Sequence, residues 1–189
     1  REDIRRSGVT TIHDLLRSVP GLNVAQLSNS NWAISARGFN DQFSNKLLVL
    51  IDGRSIYTPL FSGVYWGFHD LMLEDIERVE IILGPAGTHW GANAVNGVIN
   101  VTTRGAKDAQ GSLVSIASGT EERGLGVIRH GGALGENAHY RLSLKYADRE
   151  PGGAVDGARA RDEWDSRRAS LRLDWTPNES DSVTFDVGW

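Results

Sequence analysis

The chain has 189 residues, a formal net charge of -4 and no cysteine, so disulfides and thiolate metal sites are excluded and no basic field points to nucleic acid. A hydrophobic share of 40% and a charged share of 23% belong to ordinary folded protein, and 22 glycines against 5 prolines suit short strands and many turns. No apolar run reaches the roughly 18 residues of a membrane helix, and the polar opening does not read as a signal peptide. If the chain meets a membrane, it does so with strands.

Two textures follow one another. Up to about Arg104, short helical signals alternate with apolar runs. Thr11 precedes Ile12, Leu15, Leu16 and Val19, a helical stripe, with Thr11 and Asp14 resembling a capping box and Pro20-Gly21 as the stop. Residues 32–37 predict a short strand. Residues 46–51 form a continuous apolar run, expected of a central strand buried on both faces, and Asp52-Gly53 predicts the turn after it. Residues 70–75 predict a helical turn, residues 77–83 an alternating strand, and residues 97–103 another strand. The expected result is a small mixed sheet with short helices.

After Gly105 about five strand candidates follow. Tyr140, Leu142, Leu144 and Tyr146 oppose Arg141, Ser143 and Lys145. Ala169, Leu171, Leu173 and Trp175 form a second such row, and Val183, Phe185, Val187 and Trp189 a third. Residues 113–118 and 125–130 alternate poorly. The long Gly-rich stretch 150–162 and the tight turn 177–180 provide the loop asymmetry of an outer-membrane barrel, and Tyr146, Trp175 and Trp189 are candidates for an aromatic girdle. A soluble antiparallel sheet with one wet face alternates in the same way. The two readings differ in where Leu142, Leu171 and Phe185 point: into a closed core, or outwards.

No catalytic constellation stands out, and no catalytic residue is assigned. The loop 84–88 lacks the Lys-Ser/Thr of a phosphate cradle. The five histidines have no paired metal-ligand spacing, so no metal site or cofactor is expected. Glu74, Asp75, Glu77 and Glu80 read as a solvated face. Two loops carry ligand-contact material: Asn40, Asp41, Gln42 and Phe43 in the first, and Tyr57, Phe61, Tyr65 and Trp66 in the second. The same aromatics serve equally well as packing.

Several blocks resemble the plug of TonB-dependent outer-membrane transporters. They are Leu16-Arg17-Ser18-Val19-Pro20-Gly21-Leu22-Asn23-Val24, Arg37-Gly38-Phe39 and Leu48-Val49-Leu50-Ile51-Asp52-Gly53-Arg54. Further on come Ile76-Glu77-Arg78-Val79-Glu80-Ile81, Gly84-Pro85-Ala86, Trp90-Gly91-Ala92-Asn93-Ala94 and Gly97-Val98-Ile99-Asn100-Val101. Their order and spacing carry the resemblance. It implies an α+β plug over residues 1–104, then antiparallel strands of an incomplete transmembrane β-barrel over residues 105–189. It implies import of a scarce ligand (siderophore-iron, haem or cobalamin) across the outer membrane of a Gram-negative bacterium, without bond chemistry. Apex loops at residues 39–45 and 57–68 would face the ligand, and Arg37, Glu77, Arg78 and Glu80 would contact the barrel wall.

Leu83 stands where the family usually has Arg, which puts one such contact in doubt. The expected partner is TonB in the full-length protein; the TonB box would precede Arg1, so this stretch is not expected to bind TonB by that route. Self-association through open strand edges is a further expectation. The competing class is a soluble ligand-binding or self-associating β-rich module without transport.

Overall fold

The computed structural model describes residues 2–38, 40–152 and 162–189, in two units, Arg1–Thr103 and Arg104–Trp189. Phe39 of the first candidate ligand-contact loop and residues 153–161 of the long Gly-rich stretch lie outside the described residues.

In the first unit, helix α1 (Glu2–Ser7) was not anticipated from the pattern; an exposed Arg6–Glu2 contact of 3.5 Å bridges one of its turns. Helix α2 (Ile12–Arg17) starts at Thr11, whose hydroxyl oxygen accepts from the Asp14 N–H at 3.2 Å. The reciprocal half of the capping box differs from expectation: the Asp14 carboxylate takes the Thr11 hydroxyl at 2.7 Å, being one methylene shorter than the usual glutamate. Ile12 and Leu16 turn the α2 stripe into the core.

Strand β1 (Leu22–Ser28), missed because its residues do not alternate cleanly, pairs antiparallel with β2 (Asn31–Ala36). Strands β3 (Leu47–Ile51), β4 (Arg54–Ser55), β5 (Ile76–Leu83) and β6 (Gly97–Thr103) form a mixed sheet in the order β4-β3-β6-β5, with β3 and β6 parallel. A short helix, α3 (Gly87–Trp90), lies between β5 and β6. The apolar run at β3 is buried on both faces, as a central strand requires. Leu47 and Val49 join a core with Ile12, Leu16, Ile34, Ile99 and Val101, while Leu48 and Leu50 pack on the other side with Ala86, Ala94 and Val98. The β3–β4 turn needs positive φ twice, at Asp52 (49°) and Gly53 (76°), the Asp-Gly hairpin geometry. Asp52 then accepts the N–H and hydroxyl of Thr103, both at 2.7 Å, and ties the turn to the end of β6.

The second unit is one antiparallel sheet of five strands. They are β7 (Gly111–Ala117), β8 (Glu122–Ala133), β9 (Ala138–Arg149), β10 (Trp164–Trp175) and β11 (Val183–Gly188), ordered as in the chain. Three of them are 12 residues long, sufficient for tilted membrane-crossing strands of about 9–11 residues. The poor alternation of β8 has a plain cause. Leu125 and Val127 of β8 lie on the buried face while Ile128 lies on the exposed one, and Gly124 and Gly126 interrupt the pattern. Gly131 is needed for packing: a Cβ there would stand 2.1 Å from the Ala109 carbonyl oxygen of the 3-10 turn Lys107–Ala109. On β9 the Tyr140 ring lies across Gly132, its cross-strand partner, filling the missing side chain.

Candidate functional site

The ligand-contact candidates of the first unit come from two loops that the fold locks together. Thr58 and Gly63 close a tight hairpin, with Thr58 N–H donating to the Gly63 carbonyl at 2.8 Å. Gly63 sits so close to the other loop that a Cβ would stand 2.7 Å from the Phe43 carbonyl carbon. This backbone contact brings Phe43 under the rings of the second loop. Phe43 stacks on Phe61 at 4.9 Å and 12°, and lies 6.0 Å from Tyr65; Phe61 and Tyr65 are 5.8 Å apart. Tyr65 meets Phe68 at 4.4 Å. Phe61 is 42% exposed and Phe68 65%, so the cluster presents apolar rings to solvent, and Leu60, next to Phe61 in the chain, is 81% exposed.

The remaining candidates separate. Trp66 is not at the surface: it is 4% exposed, sits in the core, and meets His13 edge-on at 5.7 Å, while His13 stacks on Trp32 at 4.8 Å. Gly67 enables this, since a Cβ would stand 2.3 Å from the Ser30 carbonyl oxygen. For Trp66 the packing alternative describes its position. Tyr57 is half-buried and makes no ring contact with the cluster. Asn40 donates to the Ala33 carbonyl at 3.3 Å, and Asp41 accepts the Gln42 N–H at 2.7 Å, so these polar groups shape the first loop. Phe68 and Leu60 were not singled out individually, although both fall within the second loop. Only packing shows that Phe68, and not Trp66, ends up on the outer surface.

The four charged candidates lie around the sheet of the first unit. Arg78 pairs with Glu80 at 3.3 Å, and Glu80 also accepts from the Asn100 amide at 2.9 Å. Both are well exposed, and Glu77 is exposed on the same strand. Arg37 has φ 50° and places its guanidinium over Gly84, where a Cβ would be 3.5 Å away. Leu83 has an identifiable role: its side chain rests on Gly21, which at φ 90° and with no Cβ leaves room for it.

The second unit carries a different kind of surface. On β9, Arg141, Ser143, Lys145 and Arg149 are buried, while Leu142, Leu144 and Tyr146 are exposed. Leu142 is 43% exposed, Leu171 37% and Phe185 55%, so none of the three points into a core. Val114, Ile116 and Ile128 extend the same apolar face across β7 and β8. On the other face the polar groups are tied by short bonds. Arg149 pairs with Glu122 at 2.7 Å, Asp174 accepts from the Ala106 N–H at 2.7 Å and from Arg172 at 2.9 Å, and Arg141 donates to the Arg104 carbonyl. Along most of β9 the sheet is apolar outside and polar inside, the reverse of a soluble domain and the pattern of a barrel wall.

The comparisons agree with this arrangement. The chain is 36% identical over 123 residues to the vitamin B12 transporter BtuB of Vibrio vulnificus, covering 64% of this chain and 19% of that protein. It is 27% identical over 144 residues to the BtuB of Vibrio cholerae, covering 76% and 23%. The chain thus spans about a fifth of the curated relatives it matches. Among solved structures, the copper transporter OprC superposes with a TM-score of 0.77 at 20% identity, over 97% of this chain and 29% of that one. The ferric yersiniabactin uptake receptor FyuA from Yersinia pestis gives 0.73 at 21%, over 99% and 30%. Residues 1–98, more than half of the chain, match the model of the TonB-dependent receptor plug domain. The chain belongs to the TonB-dependent receptor plug domain family, here followed by five antiparallel strands.

Proposed function

We propose that this chain forms the plug and barrel strands of a TonB-dependent outer-membrane transporter, residues 1–104 acting as the plug and 105–189 as part of the wall. The observation that carries the reading is the reversed sheet: Leu142 and Leu144 are exposed while Arg141 and Lys145 are buried. A soluble module would bury the leucines and wet the arginine, so the competing class loses its main support. In this reading the plug gates import of a scarce ligand, energised by TonB, in the outer membrane of a Gram-negative bacterium. No bond chemistry is needed.

Ligand contact is proposed for the aromatic surface of Phe43, Phe61 and Tyr65, with Asn40, Asp41, Gln42 and Tyr57 at its edges and Trp66 as its anchor in the core. Several curated relatives are named vitamin B12 transporters, which makes a corrinoid the first ligand to test. Structural neighbours named for ferric siderophores and copper supply the next two. The test deletes the encoding gene and measures uptake of radiolabelled cyanocobalamin, a ferric siderophore and copper, with and without TonB. Loss of one TonB-dependent uptake activity, restored by the wild-type gene and weakened by Phe61→Ala, is the expected result. Unchanged uptake of every probe in the deletion strain would overturn the transport reading.

A further inference from the structure

The outward face of the second unit holds more than a uniform apolar band. A groove of about 420 Å³ runs across it, lined by Ile116, Gly126, Ile128, Leu144, Tyr146 and Trp189. Its floor is low because Gly126 has no side chain and nothing stands within 4 Å of where a Cβ would be. The groove lies within one continuously paired sheet, so its shape follows from strand register: Gly126 faces Tyr146, and Tyr146 faces Arg167.

One end of the groove is charged. Arg167, one of its lining residues, holds its guanidinium carbon 5.9 Å from the centre of the Tyr146 ring. Arg123, Asp148 and Asp165 sit at the same end of the strands. The two arginines differ in availability. Arg123 is held by Asp148 at 2.7 Å and by Glu150 at 3.8 Å. The ion contact of Arg167 among the described residues is Asp165 at 4.0 Å, and its side chain is 74% exposed. A cation at the end of an apolar trough matches an anionic amphiphile. Tyrosine and arginine are also the side chains that settle at a membrane–water interface, where a headgroup lies.

We propose that this groove binds one lipid whose headgroup carries a phosphate monoester, with the phosphate on Arg167 and an acyl chain over Gly126 between Ile116, Ile128 and Tyr146. The inference rests on the reading that this face meets a membrane. A guanidinium fork suits phosphate oxygens, and a doubly charged monoester competes with the distant Asp165 carboxylate better than a zwitterionic headgroup does.

The test titrates the detergent-solubilised full-length protein with phosphatidic acid and with phosphatidylcholine of the same chains, read by native mass spectrometry. Wild type is expected to bind phosphatidic acid about tenfold tighter, the scale of one charge-assisted bidentate contact. Arg167→Gln brings the two lipids level, Arg167→Lys keeps only the part of the preference that a point charge supplies, and Gly126→Phe weakens both by filling the trough. Equal affinities in wild type, or an unchanged preference in Arg167→Gln, overturn the proposal. A separate measurement isolates the membrane reading. Spin labels on Leu142→Cys and Leu171→Cys in vesicles report oxygen against polar relaxant access. Water-facing labels sink that reading and the lipid site with it; lipid-facing labels without headgroup preference sink the lipid site alone.

Discussion

Strands β3 and β9 contain similar numbers of large apolar side chains and use them in opposite ways. In β3 the side chains alternate between two cores, and Leu47, Leu48 and Val49 are all buried. In β9 the leucines are exposed, and Arg141, Ser143 and Lys145, which alternate with them, are buried. The first unit is therefore held by removal of apolar surface from water. The second is held by its ladder and by bonds on its buried face such as Arg149–Glu122 at 2.7 Å, with its apolar face left exposed. The lesson is that one apolar/polar alternation encodes two opposite solvent relations.

The largest expected effects test that contrast directly. Ile99→Ala, in the core of the first unit, is expected to cost about 2–5 kcal/mol in urea unfolding of the detergent-solubilised full-length protein. Leu144→Ala, on the exposed face, should stay within about 0.5 kcal/mol in the same assay. Equal losses would erase the distinction. Leu144→Arg sharpens it, because the expected cost is about 2–4 kcal/mol when folding is measured into lipid vesicles. A Leu144→Arg protein that inserts like wild type would mean that this face meets water.

Backbone approach provides the next contrast. A Cβ at Gly97 would stand 2.6 Å from the Ile82 carbonyl oxygen, so Gly97→Ala is expected to cost about 1–3 kcal/mol. Gly126→Ala meets open space and should change stability by less than about 0.5 kcal/mol. Modest effects are expected at one helix cap and one exposed ion pair of the first unit. Thr11→Ala removes the α2 cap and should lower stability by about 1 kcal/mol. Arg78→Ala breaks an exposed pair and should cost about 0–1 kcal/mol, falling towards zero in high salt. A larger loss at Arg78 than at Thr11 would assign that pair a role outside its own strand.

Much of the fold was legible because local patterns and tertiary demands agree. The stripe at Ile12 and Leu16, the apolar run before Asp52-Gly53 and the span 97–103 each predicted the element observed. Helix α1 and strand β1 were missed, since the first has no buried residue and the second no clean period. The candidate site was legible by loop but not by residue. Trp66 and Phe68 are two positions apart in one loop, yet the close approach of Gly67 to the Ser30 carbonyl accompanies one ring in the core and the other at the surface.

Taken alone, the amino-acid order carried the family resemblance and every strand except β1 and the two-residue β4, because ordered motifs and turn residues act over short distances. It also determined which residues share a face, since period two is a property of any strand. Tertiary structure alone decided which face is buried. Alternation is symmetric under exchange of inside and outside, and only the paired sheet, with Arg141 covered and Leu142 bare, breaks that symmetry. The same applies to the aromatic surface and the Gly126 groove, which arise from residues brought together by register and close backbone contact across the fold.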